Sequence, residues 1–246
     1  MVFQSASRIL QSAIVMSRPV VIVMVKAPLP GFVKTRLAPP LSAEDAASLA
    51  ASFAQDAAAT ALCAAGDVLV AYTPYGGRAI LEPLLPPGLL WVEQQGADLG
   101  ERLRCVVRHA RGSGFGPVII IGTDSPTMPA SFIETAREAL TNGEAGVTLG
   151  PTADGGYYLV GVAAEHPDLF RDVAWSTSLA YRQTARNASR LGLRLLSLPQ
   201  WYDVDTPRDL LRLREELFAD EDARVRAPAT YRWLLSHDHL LRRMGA

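Results

Sequence analysis

The chain has two cysteines, Cys63 and Cys105, at a spacing that suits neither a disulfide framework nor a zinc knuckle. Both read as small buried hydrophobes in a reducing cytoplasm. Histidine is also scarce, with four residues, and no G-x-S-x-G elbow occurs, so Ser–His nucleophilic chemistry has little support. There is no long basic run, and the formal net charge is -1. This excludes affinity built by blanketing a phosphodiester backbone, and nucleic acid with it. No apolar stretch reaches the roughly 20 residues that cross a bilayer, because Lys26, Pro28 and Pro30 interrupt the best candidate. A membrane span is not expected. Residues 1–17 lack the basic start and small-residue cleavage site of a secretory signal and read as a disordered extension. Met16 is then a second translation start, since Val20 opens the first convincing strand.

What the sequence does have is apolar content, 49% of 246 residues, enough for one large core. Val20 to Val25 is a β-branched run without polar alternation, the pattern of a strand buried on both faces of a parallel sheet. Ser42, with Asp45 three positions on, starts a helix whose Leu49 and Phe53 fall on one face. Strands are then predicted at 68–72, 118–121, 147–149, 157–162 and 193–198, with helices over 100–109 and 131–140. A last helix opens at Thr206, with Pro207 in its first position and Leu210, Leu213 and Leu217 as its buried stripe. No repeat or linker divides residues 18–219, so they read as a single domain, and 220–246 as a charged tail, helical in part. The alternation predicts an open, mostly parallel α/β sheet with helices on both faces and ligands at the carboxyl ends of its strands.

The loops at those ends carry the candidate chemistry. After the first strand, Lys26, Pro30, Gly31, Thr35 and Arg36 are candidate substrate contacts, and Lys34 is a candidate catalytic cation. Cations here suit phosphate oxygens, and Gly31 lets the backbone approach a ligand. Val33 before Lys34 rules out a Walker loop. Asp124, emerging behind four aliphatics, is placed for a metal ion, although Asp-Ser-Pro is also good turn chemistry. Asp205 is the second candidate metal ligand, with Asp203 as the alternative and helix-start electrostatics as the competing explanation. Asp154 is placed to position an acceptor hydroxyl or act as a base, beside Gly155, Gly156 and Tyr157. An Asp-Gly turn would place the same residues there for purely structural reasons. Leu99, Gly100 and Arg102 lie at a helix amino terminus that favours anions. Trp175 is a candidate acceptor-side wall. His237-Asp238-His239 reads as a solvated surface, not a chelate.

Taken together, K-x-P-x-P-G-x-x-K-T-R-L, D-L-G-E-R-L, G-T-D-S-P, D-G-G-Y-Y-L-V-G, W-S-T and D-V-D-T-P-x-D-L, from about Val20 to Leu217, resemble a bacterial family described as glycosyltransferase-like. That family belongs to the GT-A nucleotide-diphospho-sugar transferase superfamily. The resemblance implies a three-layer, Rossmann-like nucleotide-binding sheet and a site that uses Mg2+ or Mn2+. It also implies transfer of a sugar from a nucleotide-diphospho-sugar to a small acceptor. K-T-R-L is similar to the opening of phospholactate guanylyltransferases, and D-T-P-x-D-L to the metal-binding ending of sugar nucleotidyltransferases, which favours Asp205 over Asp203. A single acid in Gly122-Thr123-Asp124, where many glycosyltransferases present D-x-D, keeps a nucleotidyltransferase that releases pyrophosphate as the alternative. A non-catalytic nucleotide-binding protein is the third reading, and a homodimer is left open.

Overall fold

The computed structural model describes residues 18–242, so the readings made of 1–17 and of Met16 lie outside the described residues. Seven strands form one sheet in the order β3-β2-β1-β4-β6-β5-β7. They are β1 (Arg18–Lys26), β2 (Val68–Thr73), β3 (Leu90–Glu93), β4 (Phe115–Ile121), β5 (Val147–Pro151), β6 (Tyr157–Val162) and β7 (Leu195–Ser197). The sheet is parallel except at β6, which runs against both β4 and β5. Residues 152–156 are too few to carry a crossover helix, so β5 can only turn back on itself into a hairpin.

The helices are α1 (Ala43–Ala64), α2 (Arg78–Leu81), α3 (Leu99–Gly112), α4 (Ala130–Thr141), α5 (Ala180–Arg190), α6 (Pro207–Ala219), α7 (Glu221–Arg226) and α8 (Pro228–Arg242). They cover both faces of the sheet. Val21, Val23 and Val25 of β1 pack with α1 and α4 residues such as Ala58 and Ile133, whereas Val20 and Ile22 pack with Leu103 and Val106 of α3. Val20, Val21 and Ile22 are fully buried, which is why the strand shows no polar alternation. Ser42 caps α1 by accepting from the Asp45 backbone N–H, and Thr206 and Asp209 form a reciprocal capping box at α6. Each such cap is worth about 1 kcal/mol.

The residues read as a charged tail make a third core layer. Ala223, Ala227, Trp233, Leu234 and Leu241 are buried with Leu49 and Phe53 of α1 and the Leu210, Leu213 and Leu217 stripe of α6. Asp56, 1% exposed on α1, accepts hydrogen bonds from the backbone N–H groups of Ala229 and Thr230 and so caps α8 from another helix. His237 stacks on Trp233, and Asp238 pairs with Arg214 and Arg242, so this histidine-bearing segment is structural. One expectation needs correcting: Cys63 is exposed and Cys105 half-buried, because neither falls on the inward stripe of its helix. The strand β3 and the short helix α2 were not expected either, since elements of four residues are too short to carry a readable period.

Candidate active site

The strands β1 and β4 are neighbours, but the chain leaves them in opposite directions along the sheet, which makes the gap between their carboxyl ends the topological switch point. Three segments meet there. The loop after β1 turns at Gly31, whose φ of +78° favours glycine, and again at Lys34, where φ is +48°. The loop after β4 supplies Asp124. The approach to α6 supplies Asp203 and Asp205, tied down by a 2.8 Å hydrogen bond from the Val204 N–H to the Asp124 carbonyl.

Lys34 joins all three. Its Nζ lies 2.6 Å from Asp124 Oδ1 and 3.2 Å from Asp205 Oδ1, and it donates to the Val204 carbonyl at 2.6 Å. Three acceptors satisfy the three N–H bonds of an ammonium. The side chain is 7% exposed, against 48% for Asp124 and 41% for Asp205, and its charge lies 5.2 Å from the centre of the Phe53 ring. Burial works against this charge, but the two carboxylates outweigh it and hold the ammonium above its ordinary pKa. The lysine expected to face phosphate therefore faces carboxylates.

Asp203 sits behind this pair and accepts a 2.5 Å hydrogen bond from Ser125 Oγ. Burial first, and then repulsion from Asp124, Asp205 and Asp154, push its carboxyl up to about 7 against the Ser125 hydrogen bond. Asp154 behaves differently. Burial would raise it, yet hydrogen bonds to its Oδ1 from Thr152 Oγ1 (2.5 Å) and the Gly156 N–H (3.0 Å), with the Arg36 charge, hold it below the usual range. Gly155 in the same turn has a φ of +90°, and any Cβ there would overlap the Ser178 carbonyl.

These groups border a cleft of about 790 Å3, within the range of small-molecule sites. Lys26, Lys34, Thr35, Arg36, Leu99, Arg102, Asp124, Tyr157, Trp175 and Asp205 all line it. Asp154, Gly155 and Gly156 form the turn just outside, Pro30 and Gly31 shape the cationic loop, and Gly100 supports the wall from behind. A Cβ on Gly100 would stand 2.8 Å from Trp175 Nε1, and Trp175 meets Tyr157 edge-on with ring centroids 6.3 Å apart. At the amino terminus of α3, Asp98 accepts from the Glu101 N–H, and the Glu101 side chain accepts from that of Ala97.

Phe32, Ser125 and Gln94 are among the cleft residues that sequence reasoning did not name as site residues. Phe32 is 76% exposed at the tip of the cationic loop, and Ser125 holds Asp203. Gln94 donates through Nε2 to the Ala71 and Val25 carbonyls, clamping β2 to β1. Phe32 and Ser125 each adjoin a flagged residue, Gly31 and Asp124.

Among the described residues, no group of three or more His, Cys, Asp or Glu side chains is placed to cage a metal ion. Asp124 and Asp205 offer two carboxylates instead. That set suits a hard cation such as Mg2+ or Mn2+ that completes its shell with phosphate oxygens and water.

With this geometry in view, comparison with known proteins is informative. Residues 56–177 match a family described as an uncharacterized protein conserved in bacteria (DUF2064). A crystal structure from Desulfovibrio desulfuricans G20, of a candidate nucleotide-diphospho-sugar transferase, is 32% identical. It aligns over 92% of this chain and 98% of its own, with a TM-score of 0.82. The chain belongs to the DUF2064 family. Its fold is that of the nucleotide-diphospho-sugar transferase superfamily. The DUF2064 chain shares that fold at lower identity with CMP:2-keto-3-deoxy-manno-octonic acid synthetase, solved with CTP (15% identity, TM-score 0.55, covering 82% and 99% of the two chains). A cytidylyltransferase from Leptospira borgpetersenii is also similar in fold (12%, 0.52, covering 92% and 97%). A search among curated proteins finds no match. No helix among the described residues is long and apolar enough to cross a membrane.

Proposed function

We propose that this DUF2064 protein is a metal-dependent transferase that binds a nucleotide-diphospho-sugar and passes the sugar to a small acceptor in the cytoplasm. The observation that carries this reading is the convergence of Asp124 and Asp205 on one ammonium at the lip of the cleft. The similarity, along nearly its whole length, to the Desulfovibrio protein supports it.

Asp124 and Asp205 would hold Mg2+ or Mn2+ against the diphosphate. The bound ion would supply Lewis-acid stabilisation of the charge that develops on the leaving phosphate. Arg36, 70% exposed and 3.9 Å from Asp205, would meet the same phosphate oxygens, and Lys26 and Arg102 also line the cleft. Trp175 and Tyr157 offer apolar faces on which a sugar ring stacks. Asp154 has Oδ1 fixed by its turn, so Oδ2 is left to accept a hydrogen bond from the acceptor hydroxyl and orient it for attack. The carboxylate is held ionised at neutral pH, as that role requires.

Nucleotidyl transfer is the second reading. The observation favouring it is that the partner of Asp124 comes from the distant Asp205, while Gly122 occupies the place of the first acid of a D-x-D pair. In that reaction the same groups would stabilise attack on an NTP α-phosphorus with loss of pyrophosphate. One assay separates the two: the purified protein is incubated with Mg2+ and either nucleotide sugars or NTPs. Slow release of nucleoside diphosphate supports sugar transfer, and pyrophosphate release supports the alternative. A thermal shift with Mg2+ and nucleotide, about 2.7 kcal/mol at 100 times Kd, tests binding itself. No shift with any nucleotide sinks both.

A further inference from the structure

We propose that the Lys34 ammonium and the divalent metal are alternative occupants of one position between Asp124 and Asp205, so that metal enters only together with phosphate. This rests on the metal reading above and adds a property that reading does not contain.

The geometry is that of an occupied cation site. Nζ contacts Oδ1 of both aspartates. A divalent ion held by the same two carboxylates would compete with Nζ for their oxygens. The two cations cannot share the place, because a single and a double positive charge within about 3 Å repel strongly in a partly buried setting. They also arrive from different sides. Lys34 enters from the interior, past the Phe53 ring and 7% exposed, whereas the aspartates are open to the cleft.

Charge decides when exchange is favourable. Two carboxylates and one ammonium leave a single net negative charge. Adding a divalent ion alone turns this into a net positive charge and strips the ammonium of two of its three acceptors. A diphosphate arriving with the metal restores the balance and gives the displaced ammonium new oxygens. Lys34 is thus a positioning residue: it keeps the carboxylates of two distant segments together until the metal–phosphate pair takes them over. The Lys34 backbone is fixed by the Leu37 N–H to Lys34 carbonyl bond of 2.9 Å, so the exchange asks only the side chain to move.

The test is Mn2+ binding followed by electron paramagnetic resonance, with no turnover involved. Wild-type protein is titrated with Mn2+ alone and then with inorganic pyrophosphate present, and Lys34→Met is titrated in the same way. The expected results are at least tenfold tighter binding of Mn2+ alone by Lys34→Met than by wild type, and loss of most of the synergy with pyrophosphate. Unchanged or weaker binding of Mn2+ alone by a folded Lys34→Met overturns the proposal. If that variant does not fold, Lys34→Gln replaces it. If neither folds, wild type decides, because additive binding of Mn2+ and pyrophosphate overturns the proposal and at least tenfold synergy sustains it. Asp124→Ala separates this inference from the one beneath it. Mn2+ binding to wild type with pyrophosphate that survives Asp124→Ala refutes the metal site itself, whereas binding that needs Asp124 but ignores Lys34 refutes only the exchange.

Discussion

Replacing Asp203 by Asn should stabilise the protein increasingly as the pH rises. The carboxyl is pushed from an ordinary 3.8 to about 7 in the folded chain, first by burial and then by its acidic neighbours. Between those values the folded state holds a proton that the unfolded state has released. Wild-type stability from this group is therefore complete below about pH 4 and is lost as the pH climbs to 7. Asn cannot ionise, fits the same space and still accepts from Ser125. A shift of about three units at about 1.36 kcal/mol each sets the full difference at about 4 kcal/mol above pH 7. At roughly 2–4 °C per kcal/mol for a chain of this size, the Asn variant should melt about 8–16 °C higher at pH 8. The two proteins should converge near pH 4. Differential scanning calorimetry from pH 4 to 8.5, with chelator present to exclude metal, measures both curves. A difference that does not vary with pH, or one that shrinks as the pH rises, refutes the burial argument.

Other substitutions probe different parts of the molecule. Asp124→Ala should lower any metal-dependent turnover by at least about 100-fold, as loss of a preorganised charge partner does elsewhere, while the circular dichroism spectrum stays unchanged. Asp56→Ala leaves two buried N–H groups of α8 without an acceptor and should cost about 2–4 kcal/mol by urea denaturation, with Asp56→Asn milder. Gly155→Ala forces a side chain into a left-handed turn against the Ser178 carbonyl, so a loss of at least about 1–3 kcal/mol in thermal unfolding is expected. Trp175→Ala should raise the KM for acceptor several-fold and leave Mn2+ affinity unchanged, a contrast that steady-state kinetics and a metal titration read together.

The features that were readable in the sequence are those with a local cause. β1 and β4 are runs of aliphatics because both of their faces are covered, and Asp124 is visible as a site residue because it lies three positions beyond such a run. The start of α6 is written in Thr206, Pro207 and Asp209, and Asp205 stands just before it. Relations between distant segments were not readable. Nothing near Lys34 says that its partners are residues 124 and 205, because two hydrogen-bonded segments distant from it in the chain create that environment. Asp203 takes its raised pKa from burial and from Asp124, Asp205 and Asp154 in the same way, against a hydrogen bond from Ser125. The C-terminal helices were obscured by their charges, although Trp233, Leu234 and Leu241 already marked a buried side. The reversal of β6 did have a signal, the brevity of residues 152–156, and hairpin logic would have read it.

That reversal separates the two halves of the cleft as construction units. The β5–β6 hairpin brings the chain back to this edge without a crossover, so its tip is a short external turn, anchored to the first turn of α5 by the bond from the Tyr181 N–H to the Gly155 carbonyl. Lys34, Asp124 and Asp205 belong to the other side, and the two sides meet at the bridge between Thr152 and Trp201. Lengthening or exchanging residues 152–156 together with the 171–179 loop would thus remodel acceptor choice as a cassette. The sheet register and the cation site would carry over intact from one specificity to the next.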